Sequence, residues 1–141
     1  IFCKIISGEV GSSKVYEDDK VLALMDIQPI REGQVVVIPK EHIDHFSDIP
    51  EALAREVFVV AHRIARSIRD KIACERVGFV VNGYGVAHAH MIVVPQHGAN
   101  DITSARMATI ENGEIVFSMQ NLPIASRESL DAIAQLLRSS K

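Results

Sequence analysis

GYGVAHAHMIVVPQHG, residues 83–98, sets two histidines one residue apart inside an otherwise apolar run. Strand side chains alternate faces. A strand over 88–95 therefore presents His88 and His90 side by side, about 6 to 7 Å apart, with Ala87, Ala89 and Met91 on the opposite face. Imidazole, with an ordinary pKa of about 6.5, is largely a free base near neutral pH, able to attack phosphorus, shuttle a proton or ligate a metal. Spacing alone does not choose among these. The flanking Gly83 and Gly85 permit close approach of backbone amides to an anion, a weak signal by itself.

Outward from this stretch, β-branched and aliphatic clusters between turn-prone residues predict strands over 14–17 (KVYE), 21–26 (VLALMD), 34–39 (QVVVIP) and 77–82 (VGFVVN). From Ile49 to Lys71 the period changes. Leu53, Val57, Val60, Ala61, Ile64 and Ile68 recur at helical spacing, with Asp48 as the expected N-cap and Pro50 and Glu51 in the first turn. Asn112–Gly113, between ATIE and EIVFSM, is the strongest hairpin signal, and Leu130, Ile133, Ala134 and Leu137 form the stripe of a C-terminal helix. The expected class is α+β: an antiparallel sheet with one long helix packed on it and a C-terminal helix.

Composition narrows the function. The chain has 141 residues, 48 % hydrophobic and 23 % charged, which suits one globular domain over 1–141. No apolar run approaches the ~20 residues of a membrane helix, so no membrane partner is expected. A formal net charge of −3 carries no basic footprint, so long nucleic acids are not expected as partners, while a small phosphate pocket is compatible. Cys3 and Cys74 form no disulfide pattern and no signal peptide is evident, so the expected compartment is the cytoplasm, with Cys74 a buried small residue.

VAHAHMIVVP, preceded by GFVVNGYG, resembles the signature strand of the histidine-triad (HIT) superfamily, and residues 1–43 look like that family's amino-terminal half almost throughout. Residues 99–141 match less distinctively. The resemblance implies a HIT-like fold, usually a homodimer, and a nucleotide hydrolase or nucleotidyl transferase of the HINT-like branch. It would act at the α-phosphate of a purine nucleotide: a phosphoramidate, a dinucleoside polyphosphate or a related conjugate. His90 matches the nucleophile that forms a nucleotidyl-histidine intermediate, a division of one difficult displacement into two easier ones. His88 matches an orienting and polarising neighbour, and His42, in IPKEHI, a further histidine of the cluster. Asp26 matches the carboxylate that accepts hydrogen bonds from the ribose, a role suited to its two acceptor oxygens. Phe2, Ile5, Leu24 and Ile27 match the base pocket, although Ile5 and Leu24 read nearly as well as plain core. Asn82 matches a side chain near the phosphates.

Three departures bear on activity. The third triad position is Ile92, which cannot titrate, and related transferases acting on sugar phosphates also lack a histidine there. The segment from Asn82 to His88 is short and lacks the usual Gly-Gln-Ser/Thr. Gln96 and His97 follow the proline, so His97 is a candidate to supply the missing imidazole from beyond the strand end. The resemblance implies no catalytic metal. Some members begin with Cys-x-x-Cys and hold structural zinc with both cysteines and the histidines matching His42 and His88. Cys3 matches the second cysteine, so structural zinc at Cys3, His42 and His88 is an expectation. The alternatives are a nucleotide-binding or regulatory protein that keeps the fold without turnover, and a His-ligated metalloenzyme.

Overall fold

The computed structural model describes residues 1–102 and 107–138. Its class is α+β. The elements run α1 (Phe2–Ser7), β1 (Lys14–Glu17), β2 (Val21–Met25), β3 (Val35–Pro39), α2 (Glu51–Lys71), β4 (Arg76–Val80), β5 (Met91–Gln96), β6 (Ala108–Glu111), β7 (Glu114–Phe117) and α3 (Arg127–Arg138). The first five strands form one antiparallel sheet in the order β1-β2-β3-β5-β4, and β6 and β7 form a separate hairpin.

Alternation along the strands supplies two cores. Val21, Ala23, Met25, Val35, Val37, Met91 and Val93 face α2 and α3, meeting Val57, Val60, Ala61, Ile64, Ile68, Leu130, Ala134 and Leu137. Leu22, Leu24, Val36 and Ile38 face the other way, onto Phe2 and Ile5. α1, which the sequence reading does not include, thus covers the second face. Six residues are too few for a helix to persist in water. Burying Phe2 and Ile5, worth about 1.5–3 kcal/mol each, holds α1 in place.

Several boundaries differ from the sequence reading for local reasons. Asp48 does not cap α2: it closes a 3-10 turn over Phe46–Asp48, and Pro50 takes the N-cap position. The strand expected from 88 begins at Met91, because the Ala89 amide donates to Ile43 O beyond the end of β3 and His88 N turns back onto Val86 O. Asn112 and Gly113 both have positive φ, 51° and 81°, as a two-residue type I′ hairpin requires. Gly33 (φ 96°) turns the chain into β3 with a backbone that strains any side chain, and a Cβ there would lie 2.4 Å from Ile72 Cδ1, which would have to shift. Cys74 is half-buried against the main core, and burial raises its thiol pKa.

Candidate active site

His88 and His90 approach β5 on its α1 face. Residues 88, 90 and 92 alternate toward α1, while Met91 and Val93 enter the opposite core. Both imidazoles are buried, and the Phe2 ring lies 5.7 Å from each, edge-on to His88 and tilted to His90. The pair expected from the spacing is therefore present, with an aromatic wall supplied by α1.

The two rings are held differently. His90 Nδ1 lies 2.8 Å from the main-chain carbonyl of His88. A carbonyl can only accept, so Nδ1 carries a proton, and in the neutral ring Nε2 is the atom with the lone pair. This is the tautomer a nucleophilic imidazole needs. His88 Nε2 lies 2.8 Å from Pro39 O, so by the same logic Nε2 donates and Nδ1 is the free base. Burial pushes the His88 pKa below its ordinary value against the pull of the Pro39 carbonyl, which keeps the ring neutral. Its Nδ1 points at His42 Nδ1 (3.2 Å) and Cys3 Sγ (3.8 Å), and Cys3 Sγ is 3.3 Å from His42 Nδ1. His88 thus orients His90 through its main-chain oxygen, while its ring belongs to a Cys3–His42–His88 cluster whose donor atoms lie within 4.8 Å of one another.

His97 is not brought to this site. It lies exposed just past β5, with its amide donated to Asp101 Oδ2 at 2.6 Å. Seven residues of extended chain at ~3.3 Å each put it about 20 Å from His90. Within one chain it therefore stands well away from position 92. Ile92 itself is half-buried and paired with Val36 of β3 and Val80 of β4.

The other candidate residues separate into wall and core. Ile5 and Leu24 are buried in the second core, as the plainer reading has it, whereas Ile27 is 52 % exposed. Asn82 is exposed, and its Oδ1 accepts the Tyr84 amide at 3.1 Å, which leaves its NH2 free of that turn. Gly83 and Gly85 are exposed, with open space where a Cβ would stand.

Asp26 is gripped by residues the sequence reading did not single out. Gln34, 2 % exposed, donates from Nε2 to Asp26 Oδ2 (2.7 Å) and accepts the Ile30 amide on Oε1 (2.9 Å). The Gln28 amide donates to Asp26 Oδ1 at 2.9 Å, and Gln28 Nε2 donates to Met119 O and Leu122 O. Each carboxylate oxygen thus spends one acceptor position on the protein and retains another. Arg31 of the same loop pairs with buried Asp101 at 2.9 Å. Burial opposes ionisation of Asp101, but the His97 amide, Arg31 and the Gly98 amide outweigh it and hold its pKa below the ordinary aspartate value.

Known proteins resemble this chain in sequence and fold. The HIT domain family model matches residues 7–122. "Protein hit" of Bacillus subtilis (strain 168) is 41 % identical over 106 residues, covering 72 % of this chain and 73 % of that protein. The adenosine 5′-monophosphoramidase HNT1 of Saccharomyces cerevisiae is 33 % identical over 97 residues, covering 68 % of this chain and 61 % of that one. Among solved structures, a Zn-bound histidine triad family protein from Mycobacterium smegmatis superposes with a TM-score of 0.72 at 27 % identity, covering 99 % of this chain and 90 % of the other.

Proposed function

The chain belongs to the HIT domain family, and from that premise we propose that it hydrolyses or transfers at the α-phosphate of a purine nucleotide through a covalent nucleotidyl-His90 intermediate. The observation that carries this reading is the His90 Nδ1 contact to His88 O, which makes Nε2 the ring atom free to attack, on a buried face. Attack by Nε2 forms the P–N bond as the bond to the leaving group breaks. Nδ1 keeps its proton throughout, and the His88 carbonyl stabilises the charge the ring acquires. Water or another acceptor then displaces the nucleotide from His90.

In this reading the remaining acceptor positions of Asp26 hold the ribose hydroxyls, Phe2 and Ile27 flank the base, and the Asn82 amide donates toward the phosphates. Gln34 fixes the direction of the Asp26 carboxylate. Gln34→Leu is expected to weaken binding of adenosine monophosphate about tenfold, the scale of one hydrogen bond to a charged group. Calorimetry with 2′,3′-dideoxy-adenosine monophosphate should show little change, because that ligand has no hydroxyl for Asp26; equal losses for both ligands would sink the assignment.

Cys3, His42 and His88 offer three of the four ligands a structural zinc takes: one soft thiol and two imidazoles converge, and the Pro39 carbonyl fixes the His88 ring so that Nδ1 is the available ligand atom. Zinc there would crosslink α1 to the segment carrying His90. The reading also includes a homodimer. β4 is an open sheet edge, and Phe79 on it stacks 5.6 Å from Phe58 of α2, both substantially exposed beside Val81. Sedimentation at micromolar concentration is expected to give a dimer for the wild type and a monomer for Phe79→Asp; a monomeric wild type would refute the dimer.

Intact-mass analysis during incubation with a nucleotide substrate tests the whole reading. A transient gain of one nucleotidyl mass in wild type, absent in His90→Ala, is expected. Tight nucleotide binding without adduct or product would favour a binding protein.

A further inference from the structure

His90 stands one residue before β5, between His88, whose ring shares the Phe2 wall with it, and Ile92, which pairs with Val36 on the α1 face of the strand. In an in-line displacement a group able to protonate the leaving atom must stand beyond phosphorus from the attacking nitrogen. His88 has no ring nitrogen to spare: Nε2 is committed to Pro39 O and Nδ1 is turned into the Cys3–His42 cluster. His42 directs its own Nδ1 into the same cluster. On the other side stands Ile92, bracketed by Val36 and Val80. Among the described residues, the strand flank of His90 thus offers hydrocarbon where a proton donor would stand.

Leaving groups differ in their need for such a donor. An amine cannot depart from phosphorus as an amide anion, so P–N cleavage requires that nitrogen to gain a proton. The bridging oxygen of a phosphoric anhydride departs with the bond's electron pair as a phosphate anion that is stable without one. Resting on the reading of His90 as nucleophile, we propose that this site is selective for the leaving group: it takes nucleoside 5′-phosphoric anhydrides, including polyphosphates and diphospho-conjugates, and discriminates against phosphoramidates. Its chemistry then diverges from that of the yeast monophosphoramidase to which it is similar. The steps balance. His90 Nε2 bonds to the α-phosphorus as the P–O bond breaks and its electron pair stays on the departing phosphate oxygen. Water oxygen then bonds to phosphorus, the P–Nε2 pair returns to the ring, and the water proton passes to solvent.

The test compares kcat/KM for adenosine 5′-phosphoramidate and for a series of adenosine 5′-aryl phosphate esters whose phenols differ in acidity, using wild type, Ile92→His and Ile92→Gln. For wild type the rate should fall steeply as the phenol becomes less acidic, with the phosphoramidate at the bottom of the range. Ile92→His should flatten that dependence and raise phosphoramidate turnover by about 10²-fold or more, the scale of general acid catalysis. Ile92→Gln, polar but unable to supply the proton, should resemble wild type. Wild-type cleavage of the phosphoramidate as fast as that of the p-nitrophenyl ester, or a flat dependence on leaving-group acidity, overturns the proposal without any variant having to fold. If no substrate is turned over and none leaves an adduct, the nucleophile assignment itself falls and takes the selectivity with it, an outcome distinct from turnover without selectivity.

Discussion

His90→Ala is expected to lose nucleotidyl transfer by at least about 10³-fold in kcat/KM, the scale seen when a covalent nucleophile is removed. Affinity for the nucleoside monophosphate should stay near that of wild type. The reasoning is geometric. His88 has both ring nitrogens engaged, with Pro39 O and with the Cys3–His42 cluster, His42 directs its Nδ1 into that cluster, and Ile92 has no nitrogen to offer. Asp26, proposed to hold the ribose, is oriented by Gln34 rather than by His90, so binding should survive. The intact-mass signal of a nucleotidylated chain should vanish, and added imidazole should restore some turnover by occupying the vacated space. His90 also packs against Phe2, so a melting curve must accompany the kinetics. An adduct that persists in the alanine variant would move the nucleophile to another residue.

Much of this architecture was legible where local pattern and tertiary demand coincide. The period of α2 placed Val57, Val60, Ala61, Ile64 and Ile68 on one face, and all five are buried. The Asn112–Gly113 turn follows from the positive φ that both positions tolerate. What escaped the sequence was settled by contacts between distant residues. α1 is too short to announce itself by periodicity and exists because Phe2 and Ile5 find the sheet. The ladder starts at Met91 because the Ala89 amide finds Ile43 O, a partner 46 residues away in sequence. Gln34 reads as an ordinary polar residue entering a strand, and only the fold makes it the fixed donor to Asp26. The separation of His97 from His90 was, by contrast, countable: extended chain at a fixed rise sets a residue seven positions on well apart from it within one chain.

Zinc should bind the chain with one equivalent per protomer and raise the melting temperature by on the order of 10 °C once it is present at a thousandfold excess over its dissociation constant. Cys3→Ala should remove most of that gain. The expected effect is large because the three ligands come from parts of the chain far apart in sequence: α1, the segment after β3, and the approach to β5. A metal that binds all three stabilises the folded state alone, since the unfolded chain holds them apart. The same link bears on catalysis. His88 would hold the metal through Nδ1 while its main-chain oxygen holds His90 Nδ1, so one residue would join the structural site to the nucleophile. Chelation is therefore expected to lower melting temperature in wild type and to leave Cys3→Ala nearly unchanged, with activity following stability in the first case only. Equal zinc stoichiometry and equal melting shifts in the two proteins would place the metal elsewhere and leave the convergence of Cys3, His42 and His88 as a hydrogen-bonded cluster.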